Sequence, residues 1–454
     1  MSVSPVMRGL SEYIAQAGKR KLPAEVVEKT KHHVLDTIAA MVSGSRLVPG
    51  RKGISYVKTL GGTKEACVIG SRIVTSAANA ALANGMSAHA DETDDSHAPS
   101  LTHPGCGIVP AALAVAEREH ATGEALLRAV ALGYDIGCRL TQSLNAYEFR
   151  EDGHSTHSFG PMFGAAAAAG SLLGLNERQS RYLLSYTAQQ ASGISCWMRD
   201  EEHIEKAFDF RGMPARNGVA AATMVAHGFS GVEDAFSGER SFFAAYGRSP
   251  KPEVLVQGLG EDYEILRTNI KRWSVGSPIQ APLDSLAELM RSESLKAADV
   301  ESVVVRVAHQ GANTTDNRNM PDICMQHLCA VMLLDGTVSF KSSHDEKRMR
   351  HPRVLELRKK VILQGDDTLT RAMPSRQGIV EVALRDGRSL RHHTTAVRGT
   401  AENPMSRAEV DAKSYDLLAP VLGEVRARKL CDEIWRLERL ADIRKLRSLL
   451  QEKP

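Results

Sequence analysis

The 454-residue chain carries 43% hydrophobic and 24% charged residues with a net charge of +3, the balance of a soluble globular protein too large for one ordinary core. So small a net charge, with no dense basic run interleaved with aromatics, argues against a nucleic-acid partner, and no apolar run reaches the roughly 18 residues of a membrane span. Seven scattered cysteines without a CxxC pair, and an N-terminus lacking a signal peptide's apolar core, point to a reduced, cytoplasmic protein without a disulfide framework or structural zinc.

Taken in chain order, the first 270 residues or so read as helices. Val27, Val34, Ile38 and Met41 recur at helical spacing between Ala24 and Ser43, with Gly44 as a stop. Thr75 to Ala90, Ile108 to Glu117, Glu124 to Leu144, Phe163 to Leu175, Glu177 to Ala191 and Arg216 to His227 continue the pattern. Near Lys271 the character changes. Glu301 to Ala308 is dense in β-branched residues, and Ile379 to Leu384, Asp386-Gly387 and Ser389 to Thr394 read as a β-hairpin, with a helix over His327 to Leu334 between them. Helical patterns return over Val410 to Leu417, Gly423 to Leu437 and Ile443 to Leu450. The expected fold is mainly α with an α+β second domain: a large all-helical domain from residues 1–268 with 402–454, and a smaller α+β lid from 269–401.

Chemistry concentrates between His89 and His103, where four carboxylates and three histidines fall within fifteen residues. Acids this crowded bind a cation, hold a basic partner or perturb each other's pKa for catalysis; otherwise they form a solvated loop. His103-Pro104-Gly105 favours the catalytic reading, since a histidine before Pro-Gly sits on a rigid turn. Gly153-His154-Ser-Thr-His157-Ser-Phe-Gly160 precedes an alanine-rich helix expected to start near Gly164, an arrangement that suits an anion. Lys206, in Glu205-Lys-Ala-Phe-Asp-Phe-Arg-Gly212, and Lys271 add positive charge suited to a carboxylate substrate. Asp91-x-x-Asp94-Asp95 also has the look of a magnesium-binding pair, but the only other adjacent aspartates, Asp366-Asp367, lie in the β-rich part, so no metal is expected.

These segments together resemble the MmgE/PrpD family, which includes 2-methylcitrate dehydratase, cis-aconitate decarboxylase and iminodisuccinate epimerase. The resemblance rests on His89-Ala-Asp-Glu-Thr-Asp-Asp-Ser96, His103-Pro-Gly105, His154 to Gly160, Lys206 with Gly212 to Gly218, Lys271, Leu334 to Val338 and Asn403 to Ser406, and spans nearly the whole chain. It implies a homodimer with the active site between a helical domain and a lid, using no metal and no organic cofactor. The catalytic set it implies is His103, Lys206, Glu92, Asp94 and His154. The substrate-binding set is Ser96, Lys271, Arg272, Gln280 and His157, the last competing with His154 for one place. Where the family often carries an arginine and a histidine, Ser277 and Gln280 stand here, which points to fewer substrate carboxylates or to compensation by Arg199, Arg211 or Arg272. The expected activity is that of a hydro-lyase, 2-methylcitrate dehydratase-like, taking a proton α to a carboxylate of a small hydroxy di- or tricarboxylic acid. An epimerase or racemase, a decarboxylase and a non-catalytic helical binding protein are the alternatives.

Overall fold

Two pairs of glycines spaced four apart let two helices cross backbone to backbone in the computed structural model, which describes residues 3–452. Gly133 and Gly137 lie on the helix Gly123–Ser143, and Gly160 and Gly164 on the helix Thr156–Leu172. A Cβ on Gly164 would lie 2.5 Å from the Gly133 carbonyl oxygen, and one on Gly137 would lie 2.8 Å from that of Gly160, so only hydrogen fits at either place. Ala165 to Ala169 continue the small-residue surface and are all fully buried. The helices Gly105–Arg118 and Met213–Ala226 pack on this pair, and Ala77–Ala88 packs on both of them.

The chain divides into two compact units. The first holds the described residues up to Ala90, then Asp94–Thr268, and the described residues from Val410 on. Its C-terminal part returns to the helix Ala24–Gly44: Lys413 Nζ lies 2.6 Å from Asp36 Oδ1, both buried, and Lys31 donates to the Trp435 carbonyl at 3.3 Å. Its only described strands are the two-residue pair β1 (Ala66–Cys67) and β2 (Val74–Thr75).

The second unit comprises Asp91–Thr93 and Asn269–Glu409. Its strands β3 (Val300–Val307), β4 (Val361–Gly365), β5 (Gly378–Leu384) and β6 (Ser389–Thr394) form one sheet in the order β4-β3-β5-β6. β3 runs parallel to β4, with Val303 opposite Val361, and antiparallel to β5, with Val303 opposite Val382. The β5–β6 hairpin turns through Gly387 at φ +88°, a conformation that favours glycine. Val303, Val305, Val380 and Val382 enter one core with Leu283 and Leu286 of the helix Gln280–Ser292 and Leu328 and Val331 of the helix Met325–Asp335. The mainly helical architecture with a smaller α+β part is the fold class expected from the sequence.

One local reading changes, and two elements had no reading. The helix expected to start near Gly164 starts at Thr156 and runs through Pro161. Proline removes the amide that would bond the carbonyl four residues back, that of His157, and Arg211 Nη1 donates to this freed carbonyl at 3.1 Å. Phe208–Gly212 forms a π-helical turn ahead of the helix Met213–Ala226. Strand β4 went unread because Val361-Ile-Leu363 is short and flanked by lysines and aspartates.

Candidate functional site

The acidic loop is buried: Asp91, Glu92, Asp94 and Asp95 are all at most 7% exposed. Carboxylates withdrawn from water need partners, so the question for each is what pairs with it. Asp95 accepts from Tyr134 Oη at 2.6 Å, His33 Nδ1 at 2.9 Å and the Gly105 amide at 3.0 Å. Burial alone would raise its pKa, but the His33 and Tyr134 contacts hold it below the usual carboxylate range. The bond to Gly105 seats the N-terminus of the helix Gly105–Arg118 on a negative charge, which suits the helix dipole and fixes the turn carrying His103. From the other side, residues 97–102 close on themselves: the His97 amide donates to the Thr102 carbonyl at 2.8 Å, and Ser100 Oγ lies 2.7 Å from His97 Nδ1.

Asp94 serves a different set. His89 Nδ1 lies 3.0 Å, His103 Nδ1 3.2 Å and Arg211 Nη2 3.5 Å from the one oxygen Oδ2, and the Cys106 thiol donates to it at 2.6 Å. The helix Ala77–Ala88 delivers His89 at its C-terminus, and the π-helical turn delivers Arg211, which is fully buried and also contacts Cys106 Sγ through Nε. Burial pushes the Cys106 thiol well above its ordinary range and keeps it protonated.

Phe210, beside Arg211, stacks on His157 with ring centroids 3.9 Å apart and planes 9° apart, and on His89 at 4.6 Å and 14°. His103 lies 5.2 Å from His157 and 5.5 Å from His89, ring to ring. Burial drives His157 and His89 well below the usual histidine range, overcoming the Asp94 carboxylate at His89, and the positive charge of Arg211 adds to it in the same direction. Both imidazoles are neutral at neutral pH. His103 is the most accessible of the three, and the Asp94 carboxylate at Nδ1 orients its ring. Lys206 Nζ stands 5.3 Å from the Phe210 ring centroid and 5.7 Å from that of Trp197, within cation–π range.

The second unit holds its own group. Lys271 is 3% exposed; its Nζ donates to the Glu92 carbonyl at 2.7 Å and lies 3.7 Å from Glu92 Oε2. Arg272 pairs with Asp284 at 3.3 Å and covers the Trp273 ring. Gln280 is buried, and its amide is engaged by the Trp273 amide and by the Trp273 and Val275 carbonyls.

The structure therefore brings together Asp94, His103, His157 and Lys206 in the first unit, and Glu92 with Lys271 in the second. His154 does not join them: its ring packs on Phe149 at 4.5 Å, on Phe159 and on Tyr246, none of which touches the His103 group. Ser96 is half-buried between Asp95 and His97. Arg272 and Gln280 have internal partners that hold the start of their own unit. Sequence reasoning gave no role to His89, Cys106, Phe210 or Asp95, and named Arg211 only as a compensating cation. Only the fold shows that Asp94 is the common partner of His89, Cys106 and Arg211.

Ligating atoms of His89, Asp94 and His103 lie within 4.8 Å of one another, a donor set that suits a first-row transition metal. The buried Arg211 guanidinium on the same carboxylate opposes a cation there. Asp366, of the rival magnesium pair, caps the helix Asp367–Arg371 by accepting from Thr368 N and Leu369 N, and so has a structural task.

In comparison with known proteins, residues 8–255 match the MmgE/PrpD N-terminal domain and residues 273–438 the MmgE/PrpD C-terminal domain. Cis-aconitate decarboxylase of Aspergillus terreus is 25% identical over 465 aligned residues, covering 94% of this chain and 92% of that protein. The cis-aconitate decarboxylase-like protein oryM of Aspergillus oryzae (strain ATCC 42149 / RIB 40) is 26% identical over 304 residues, covering 62% and 61%.

Proposed function

The chain belongs to the MmgE/PrpD family, and from that premise we propose that it is a lyase acting on a small polycarboxylate by moving a proton at the carbon next to a carboxylate. His103 is the acid–base group in this reading. The observation that carries it is the contact from Asp94 to His103 Nδ1, which orients the imidazole as a carboxylate orients a general base. Keeping His89 and His157 neutral gives one imidazole of the three the proton-transfer role. Lys206 and Lys271 supply ammonium groups for substrate carboxylates and for the enolate-like charge that builds as the proton moves. Ser96 belongs to the same binding set, and the chain acts as a cytoplasmic homodimer.

Two lyase reactions use this chemistry. In dehydration, a base takes the α-proton and the β-hydroxyl leaves as water, creating a double bond. In decarboxylation, the bond to a carboxylate breaks, CO₂ leaves, and the electron pair left on carbon takes a proton from the acid. The resemblance put a 2-methylcitrate-like dehydration first. The names of both relatives favour decarboxylation of an unsaturated tricarboxylate such as cis-aconitate.

Proton NMR in D₂O of the protein with hydroxy acids and unsaturated tricarboxylates tests the reading. New vinyl signals from a hydroxy acid identify the dehydratase. Loss of CO₂ with deuterium entering the product identifies the decarboxylase. Exchange of an α-proton with no net loss of substrate identifies an epimerase and overturns the lyase assignment, as does silence across the panel.

A further inference from the structure

Beside the Glu92–Lys271 pair lies a buried histidine, in a part of the second unit that the reading above does not use. His344 follows the short helix Phe340–Ser343. Its Nε2 lies 2.9 Å from Asp91 Oδ2, while its Nδ1 lies 2.9 Å from the Phe340 carbonyl oxygen and 3.0 Å from Ser343 Oγ. A carboxylate and a backbone carbonyl only accept hydrogen bonds, so satisfying both ring nitrogens requires both to carry hydrogen. Asp91 in turn binds its own loop: Oδ1 accepts from the Thr93 amide at 2.9 Å and Oδ2 from Thr93 Oγ1 at 2.8 Å. The three-residue segment is thus tied to the second unit twice, at Asp91 through His344 and at Glu92 through Lys271.

We infer that His344 is a positioning residue: a standing imidazolium that clamps Asp91 and thereby fixes where Glu92 and its Lys271 partner sit. This rests on the reading of Glu92 and Lys271 as site residues. The ionisable groups facing His344 agree with a fixed positive charge. Asp91 comes from the short loop and Asp322 from the turn Pro321–Ile323; from the turn before it, His344 meets the Phe340 carbonyl and the Phe340 ring at 4.3 Å. Burial alone would lower the His344 pKa, but the Asp91 contact and the Asp322 charge carry it up to about 9. Asp322 is itself 3% exposed, and burial beside Asp91 and Glu92 pushes its carboxyl up to about 6. At pH 7.5 the cluster is therefore an imidazolium between carboxylates.

The sign of the pH dependence follows. The ordinary histidine value is 6.5 and the folded value is raised, so the clamp is at full strength below about 6.5 and is lost as pH rises through about 9.

Two measurements test the clamp. In ¹⁵N-histidine-labelled protein, the His344 ring, assigned by its absence in His344→Gln, is expected to be doubly protonated at pH 7.5 and to titrate near pH 9. A ring that is neutral at pH 7.5 overturns the inference, and this result does not depend on any activity. With whichever substrate the protein turns over, His344→Gln is expected to lower kcat about 10- to 100-fold with little change in KM, the cost of a small misplacement of Glu92. His344→Lys, which restores a cation, is expected to recover part of kcat and move the alkaline limb of the pH profile above that of wild type. Variants with wild-type kcat and an unmoved limb overturn the inference while leaving the lyase reading intact; loss of wild-type activity across the panel overturns that reading while the NMR result still decides the clamp.

Discussion

Asp91 and Asp94 are three residues apart and both buried, yet they treat their histidines in opposite ways. Asp94 shares one oxygen among His89, His103, Cys106 and Arg211, and the guanidinium already supplies a positive charge there. Protonating His89 would add a second charge in a dry site, so His89 and its neighbour His157 are held neutral. Around Asp91 the balance reverses. Asp322 adds a second carboxylate and the Phe340 carbonyl a third acceptor, so His344 is held protonated up to about pH 9. A buried Asp–His contact near 3 Å thus does not by itself state the charge of the histidine. The other groups on the pair decide it, and they divide the segment into a proton-handling half and a fixed-charge half.

The largest effect expected from breaking this contrast is at Asp94. Asp94→Asn removes the charge that orients His103 and leaves Arg211 buried without its carboxylate; kcat should fall about a thousandfold, with a lowered unfolding midpoint in a denaturant titration. Away from both clusters, Gly164→Ala places a methyl against the Gly133 carbonyl and should cost about 1–3 kcal/mol of stability by the same titration, with no change in the titration of His344. Arg211→Met removes a positive charge that reinforces burial in keeping His89 neutral; the His89 resonance should then titrate closer to the ordinary histidine range, and turnover should drop about tenfold as the proton is shared between rings. The smallest effect belongs to Asp322→Asn. Losing one of two carboxylates beside His344 should bring its titration below about pH 9 without removing the Asp91 contact, read by the same ring NMR.

Much of this was legible in the sequence because the decisive groups are local. Helical periodicity located the long helices, β-branched runs with Asp386-Gly387 located β3 and the hairpin, and the crowding of acids and histidines marked residues 89–103. What stayed illegible depends on contacts distant in sequence. His154 and His157 have similar local contexts, and only the early helix start at Thr156 and the stack on Phe210 bring His157 to His103 while His154 enters an aromatic core. The π-helical turn that aims Phe210 and Arg211 has no periodic signature. Gln280 matched a site position by alignment but caps backbone groups of its own unit, a role that becomes visible only once Trp273 and Val275 are placed beside it. His344 lies some 250 residues from Asp91 along the chain, and nothing in its neighbourhood marks it.

The central claim is that His103, oriented by Asp94, moves the proton next to the substrate carboxylate. The most direct test is the rate of deuterium entry at that carbon in D₂O, compared between wild type and His103→Asn with the substrate the panel identifies. Slowing of a hundredfold or more, with substrate binding retained, is the predicted result. Rates within about threefold of each other would contradict the assignment and pass the proton-transfer role to another group.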